Sequence, residues 1–306
     1  MSVRVVFMGS PDFALPTLEE LHRHYQVVGV VTQPDRPAGR GRKEQQSEVK
    51  KLALKLGLPI FQPQSLRKLS AVTRLAEWKP DLIVVAAYGQ ILPKAVLEMP
   101  TKGCINVHAS LLPAWRGASP IQAAIVNGDE KSGVTIMLMD EGMDTGGILA
   151  QRSVPIRPGT TAPELSDQLA HLGARTLISI LPSYLRGSLG AIPQDESRKS
   201  YAPKLTKHDG LLDFSLPAQV LLNQVNAYQP WPCAVYEWQG KRLKIIEAHV
   251  HPTFECDPRG RFVINGLPAV CTGDGLLVLD TVQPEGKKPM PGKAFLNGQP
   301  DWLENE

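Results

Sequence analysis

The chain has 306 residues, 42% hydrophobic and 21% charged, with a formal net charge of +3. That length allows two domains with cores of their own, while so small a charge does not by itself mark a nucleic-acid binder. No apolar run reaches the roughly 18 residues a membrane helix needs, and the run at residues 3–8 is too short for a secretory signal, so a cytoplasmic protein with no membrane partner is expected.

The charge is unevenly spread. Residues 207–306 hold nine Lys/Arg against twelve Asp/Glu, and residues 1–206 hold 24 against 18, so any electrostatic footprint must be local. Four scattered cysteines without a Cys-x-x-Cys pair disfavour metal fingers and redox motifs, and predict reduced thiols.

Residues 3–8 read as a buried strand that turns at Gly9 into a helix over 13–23, where Leu15, Leu18 and Leu21 recur near helical spacing. A strand over 27–31 follows. Strand, helix, strand with short connections begins a doubly wound parallel α/β sheet. The first turn, Gly9-Ser10-Pro11-Asp12-Phe13-Ala14, lacks Gly-x-Gly-x-x-Gly, so the close backbone approach of a dinucleotide is missing and NAD is not expected. Residues 33–43 read as a loop carrying Arg36, Arg40, Arg42 and Lys43 against one acid, Asp35. A helix over 48–56, a short strand at Ile60 and Phe61, a helix over 69–78 and a buried strand over 81–87 come next. A loop from Tyr88 to Pro93 leaves that strand. The strand 104–108 follows, then a helix over 119–126 and a strand over 134–139 that ends in a Gly-rich loop holding Asp144.

Thr161-x-x-Glu164 is a capping box opening a long helix through Leu165, Leu169, Leu172 and Leu177 to about Leu181. Periodicity then fades into Gly, Pro and polar residues. The domains are therefore expected at 1–188 and 207–306, with a linker over 189–206. Beyond it lie a helix over 217–227 and short strands at 234–238, 243–249, 261–264 and 276–282, a spacing that fits a small β-barrel. The cations expected to matter there are clustered ones: Lys241, Arg242 and Lys244, or Lys287 and Lys288.

Asn106 and His108 stand two residues apart on a strand and so share a face. A single His on a strand is usually a hydrogen-bonded structural residue. Here three strand ends carry special loops, at 88–93, 110–117 and 140–147, and in open α/β sheets ligands bind outside the carboxyl ends of strands. An Asn amide can donate to a developing oxyanion, and a His beside a carboxylate such as Asp144 can move a proton. Together they suit acyl transfer. No Gly-x-Ser-x-Gly elbow supports a serine nucleophile. A run of Arg and Lys is often only a solvated face, but Arg40, Arg42 and Lys43 alternating with Gly39 and Gly41 also suit a phosphate backbone. His249-x-His251 offers two imidazoles on one strand face, but nothing in the sequence completes a metal site, and none is expected. Trp231 reads as a packing anchor.

Asn106-x-His108, Ser110-Leu-Leu-Pro113, Trp115-Arg-Gly117-Ala-x-Pro-Ile-Gln122 and Asp144-Thr-Gly146 resemble the motifs of the 10-formyltetrahydrofolate-dependent formyltransferases. Gln33-Pro-Asp-Arg-Pro-Ala-Gly-Arg-Gly41, the stretches 91–100 and 103–108, Pro230-Trp-Pro232 and Gly273-Asp-Gly275 resemble the methionyl-tRNA formyltransferase branch of that family. The resemblance spans nearly the whole chain. It implies a Rossmann-like formyl-transfer domain followed by an OB-like barrel that binds tRNA. It also implies transfer of a formyl group from 10-formyltetrahydrofolate, as co-substrate, to the amine of methionine on initiator tRNA by a monomeric enzyme of translation initiation. The family's catalytic residues map onto Asn106, His108 and Asp144. Its tetrahydrofolate contacts map onto Ser110, Leu111, Leu112 and Pro113, with Tyr88, Gly89, Leu92, Asp140 and Gly142 on the neighbouring loops. Its tRNA loop maps onto Arg36, Arg40, Arg42 and Lys43. Ala114 stands where relatives often carry a basic residue, and Gln46-Ser-Glu where many carry Pro-Ser-Pro. The competing readings are a formyltransferase for a nucleotide-linked amino sugar, a formyltetrahydrofolate hydrolase and a non-catalytic tRNA-binding protein. The Arg/Gly loop argues against the first two, and the intact Asn/His/Asp set against the third.

Overall fold

The computed structural model describes residues 3–38, 43–252 and 256–303. Contacts divide the chain into two compact units. The first is Met1–Pro120, Lys131–Pro155 and Ser166–Ala202, and the second is Ile121–Glu130, Ile156–Leu165 and Pro203–Glu306.

In chain order the elements up to residue 202 are β1 (Arg4–Gly9), α1 (Leu15–His24), β2 (Gln26–Val31), β3 (Arg36–Ala38), β4 (Lys43–Gln45), α2 (Glu48–Lys55), β5 (Ile60–Phe61), α3 (Leu69–Ala76), β6 (Leu82–Ala86), α4 (Lys94–Leu97), β7 (Cys104–His108), β8 (Arg116–Gly117), α5 (Pro120–Val126), β9 (Lys131–Leu138), β10 (Ile148–Pro155), α6 (Ala162–Leu185) and β11 (Tyr201–Ala202). The first unit is built on a seven-stranded sheet in the order β10-β9-β7-β6-β1-β2-β5. Helices connect β1 to β2 and β6 to β7, and those neighbours run parallel. Continuous apolar runs such as Leu82-Ile-Val-Val-Ala86 are buried throughout, as strands covered on both faces must be.

One edge departs from the all-parallel sheet that the sequence suggests. β9 runs antiparallel to β7, with Thr135 opposite His108 and Leu138 opposite Ile105. The reason is the path of the chain. It leaves β7 at its carboxyl end and re-enters the sheet beside that same end, so β9 has to run back. β10, a polar edge strand without apolar alternation, then pairs antiparallel with β9.

Much of the expected linker is docked on the first unit. Ile192 bridges to Ile148, and Tyr201–Ala202 pairs in parallel with Arg116–Gly117. That segment therefore belongs to the first compact unit as far as Ala202. The capping box at Thr161 forms as read, with Thr161 N–H and Oγ1–H both donating to Glu164 Oε2 at 2.8 Å.

The second unit adds α7 (Ala218–Ala227), β12 (Ala234–Trp238), β13 (Lys241–His251), β14 (Arg261–Ile264), β15 (Leu267–Cys271), β16 (Leu276–Pro284), β17 (Met290–Pro291) and α8 (Gly292–Asn297). Its strands form an antiparallel sheet in the order β12-β13-β16-β15-β14, with β17 on β16. Phe214, Tyr236, Trp238, Phe295 and Trp302 gather in its core with edge-on ring contacts, the arrangement that ring quadrupoles favour. Trp231 is not one of them and stays 50% exposed. The expectation of four reduced thiols also fails, because Cys256 and Cys271 form a disulfide with their Cα atoms 6.2 Å apart. A turn in which Arg259 N–H donates to Cys271 O and Cys271 N–H to Gly260 O folds the 15-residue span back on itself, which no Cys-x-x-Cys spacing could announce. Among the described residues no helix is long and apolar enough to cross a membrane.

Candidate active site

β7 presents Asn106 and His108 on one face, 9% and 5% exposed. Burial of two polar side chains in a strand otherwise made of Cys, Ile and Val is costly unless they have partners. His108 has them. Its Nε2 lies 3.1 Å from the Trp115 carbonyl, and its Nδ1 lies 3.7 Å from Asp144 Oδ1. A carbonyl can only accept, so Nε2 carries a hydrogen, and Nδ1 is the nitrogen turned toward the carboxylate. Protonation at Nδ1 would then be met by a negative charge. Asn106 differs: among the described residues its side-chain amide enters no hydrogen bond, so a donor is left open beside the imidazole.

Asp144 comes from the loop after β9. Since β9 ends beside the start of β7, this loop does not lie at the shared carboxyl edge as strand sense alone suggested. It turns back instead. Gly146 makes the return possible, because a Cβ there would stand 1.9 Å from the Leu138 carbonyl oxygen. Asp144 adopts φ 55°, in the left-handed region, and its Oδ2 accepts from Gly117 N–H at 2.8 Å. Gly117 itself sits at φ 119°, where a Cβ would strike the Ala202 carbonyl oxygen at 2.5 Å. The carboxylate is thus aimed by one backbone donor while its other oxygen faces His108.

Next to Asp144 is a cleft of about 270 Å³ lined by Gln90, Ile91, Leu92, Met137, Met139 and the loop residues Asp140 to Asp144. Of the nine residues expected to contact folate, Leu92, Asp140 and Gly142 line this cleft. Asp140 also holds the loop, accepting from Gly142 N–H at 3.0 Å and from Thr145 Oγ1 at 2.6 Å. Tyr88 is 2% exposed, and burial pushes its phenol up from the ordinary tyrosine range. Gly89 takes φ 79° in the turn that follows.

Ser110, Leu111, Leu112 and Pro113 are not in the cleft lining; they form a braced turn after β7. Ser110 is fully buried and donates to the Ala114 carbonyl at 2.6 Å, so its hydroxyl holds the turn. Thr135 and Gln151 brace it from the neighbouring strands. Thr135 Oγ1 donates to Ser110 O and accepts from Leu112 N–H, and Gln151 Nε2 donates to Leu112 O. Sequence reasoning did not single out either residue, although a Thr inside the apolar run Val134–Ile136 was a usable sign.

The basic loop is in part a hairpin, since β3 and β4 pair antiparallel with Ala38 opposite Lys43. Arg36 is exposed and donates to Gln33 Oε1 at 3.0 Å. The hairpin's base is fixed by Asp35, which accepts from Lys50 and Gln62; those hydrogen bonds hold its carboxyl below the usual range. Arg40 and Arg42 lie outside the described residues, as does the side chain of Lys43. In the second unit Lys241, Arg242 and Lys244 are exposed on β13. His249 Nδ1 lies 2.8 Å from Asp280 Oδ2, and among the described residues no group of three or more His, Cys, Asp or Glu could hold a metal ion.

Residues 3–181 match the formyl transferase family, and residues 204–300 match the C-terminal domain of formyl transferases. The chain is 48% identical over 303 residues to a methionyl-tRNA formyltransferase of Roseiflexus castenholzii, covering 97% of this chain and 96% of that one. It is 44% identical over 307 residues to a methionyl-tRNA formyltransferase of Pseudoalteromonas translucida, covering 98% and 95%. Among solved structures, the N-formyltransferase of Helicobacter canadensis, in complex with folinic acid and dTDP-3-aminofucose, shares the fold with a TM-score of 0.69 at 17% identity over 92% of this chain and 99% of that one. HypX of Aquifex aeolicus in complex with tetrahydrofolic acid does so with a TM-score of 0.65 at 16% identity. The chain is covered in full there and spans about half of HypX, 48% of its length.

Proposed function

We infer how the site works from one premise, that this chain belongs to the formyl transferase family. It is an enzyme that transfers a formyl group from 10-formyltetrahydrofolate to the free amine of methionine carried on initiator tRNA, for translation initiation. The observation that carries the reading is the site itself: an open Asn106 amide beside the His108–Asp144 pair, in a chain 44–48% identical along its length to methionyl-tRNA formyltransferases.

The cleft fits a flat heteroaromatic ring. Ile91, Leu92, Met137 and Met139 offer apolar walls, and the loop around Asp140 offers backbone and carboxylate groups at one rim. The folate would be held there, supplying the activated formyl group. Leu92, Asp140 and Gly142 make contact directly, Tyr88 backs Leu92 and Met139 from the core, and the 110–113 turn stands outside the lining.

The neutral methionyl amine attacks the formyl carbon. Asn106 donates to the formyl oxygen as negative charge develops on it, an interaction worth on the order of 10²–10³ in rate. Because Trp115 O occupies the Nε2 proton of His108, the group free to gain a proton is Nδ1, where Asp144 stabilises the imidazolium. The pair thus takes up the amine proton, directly or through water, and returns it to the departing folate nitrogen. The basic segment that carries Arg36, Arg40, Arg42 and Lys43 grips tRNA phosphates. The enzyme acts as a monomer in the cytoplasm.

Competing acceptors test this reading. With Met-tRNA and free methionine both present, the formyl group is expected almost wholly on Met-tRNA. Equal use of free methionine, or release of formate alone, would overturn it.

A further inference from the structure

The imidazole stands on β7 and the carboxylate on the loop after β9, and one further segment touches both. The Trp115–Gly117 segment supplies the carbonyl on His108 Nε2 and the N–H on Asp144 Oδ2. The loop Asp144–Gly146 supplies the carboxylate. Between Trp115 and Gly117 lies Arg116, a guanidinium only 1% exposed. A charge so buried has to be paired and hydrogen-bonded.

Its partners come from the segment that the sequence reads as linker. Arg116 Nε and Nη2 donate to Gln194 Oε1 at 3.1 and 2.7 Å, and Nη2 and Nη1 donate to Glu196 at 2.6 and 3.2 Å. The hydrogen bonds from Arg116 hold the Glu196 carboxyl below its usual range. The other end of Gln194 faces the catalytic loop, where Nε2 donates to Asp144 O and to Gly146 O, each at 2.8 Å.

All of the Gln194 amide is therefore in use, and its orientation is fixed by chemistry. Guanidinium groups only donate, so the oxygen must face Arg116; carbonyls only accept, so the nitrogen must face the loop. No other uncharged side chain of this length offers a paired acceptor and double donor.

We propose that Gln194 is a positioning residue for formyl transfer, a strut that holds the Asp144 loop against the Arg116 segment and so sets the His108–Asp144 pair. It touches neither substrate. The inference rests on the reading of His108 and Asp144 as the catalytic pair, and it extends the catalytic machinery into residues 190–202.

The substitution Gln194→Glu separates this role from plain fold support. A carboxylate still accepts from Arg116, so the buried charge stays paired, but it sets oxygen against the carbonyls of Asp144 and Gly146. Gln194→Met keeps the length and removes every hydrogen bond. In full-length enzyme, both variants should lose turnover by about 10- to 100-fold, the size of loss caused by misplacing a catalytic group by an ångström. The KM values for folate and Met-tRNA should stay near wild type.

Asp144→Asn is assayed alongside. If Asp144→Asn is crippled while Gln194→Glu turns over like wild type, the strut is refuted and the catalytic reading survives. If Asp144→Asn is fully active, both fall together. A rise in KM at unchanged turnover would also refute the strut. Should Gln194→Glu fail to fold, Gln194→Met decides by the same criteria.

Discussion

Replacing Asp144 by Asn removes one charge and little else. The Asn oxygen can still accept from Gly117 N–H, the contact that now spans 2.8 Å, so the loop keeps its anchor. What disappears is the attraction between the carboxylate and a protonated His108, whose nitrogen is 3.7 Å from Oδ1. Unit charges at that separation attract by about 1 kcal/mol in bulk water and by about 4.5 kcal/mol at an effective dielectric near 20. Side-chain exposures of 18% and 6% place this pair toward the protein end of the range. At about 1.4 kcal/mol per decade, turnover should fall by between about sixfold and about two-thousandfold. The substituted amide makes matters worse in one respect, since its NH₂ would donate to the Nδ1 lone pair and favour the neutral ring. The assay is formylation of Met-tRNA at saturating folate and tRNA, with KM for each measured separately. A loss below about threefold, or a loss confined to KM, would refute the electrostatic argument, because it would lie under even the bulk-water figure.

The remaining predictions concern the framework and the tRNA. Gly146→Ala puts a methyl 1.9 Å from the Leu138 carbonyl, so the loop must move; it should cost about 1–3 kcal/mol in denaturant unfolding and at least tenfold in turnover. An active, fully stable Gly146→Ala enzyme would contradict the account of that return loop. Glu164→Ala removes a capping-box carboxylate whose two hydrogen bonds from Thr161 hold it below its ordinary range, and should cost about 0.5–1 kcal/mol near neutral pH. Since the folded-state value is depressed, that difference is present above the unfolded carboxylate value and is lost as pH falls through the folded one; an equal difference at about pH 3 would count against it. Neutralising Arg40 and Arg42 together should raise KM for tRNA and lower the slope of log affinity against log salt by about 2. An unchanged slope would remove both from the phosphate contacts.

How much of this was legible follows from how local each signal is. Strands with unbroken apolar runs, such as Leu82–Ala86, and helices with caps, such as the one opened by Thr161 and Glu164, stand where the sequence puts them. β10 was missed because it is an edge strand whose polar run Gln151-Arg-Ser153 breaks any apolar alternation. β15 and α8 were missed because each is short and bounded by other Gly/Pro turns. The strand bearing Asn106 and His108 was readable from its own residues. Their setting was not. The antiparallel return of β9, the strut from Gln194 to Arg116 and the Cys256–Cys271 bridge join residues 15 to 78 positions apart, and periodicity carries no information over such distances.

The central claim is that Asn106 supplies the hydrogen bond to the developing oxyanion. Single-turnover formylation of Met-tRNA by Asn106→Ala, with folate and tRNA affinities measured in the same preparation, tests it most directly. A fall of about 10²–10³ in the rate of transfer with both affinities unchanged is the predicted result. A fall of less than about tenfold, or a loss that saturating folate restores, would contradict it.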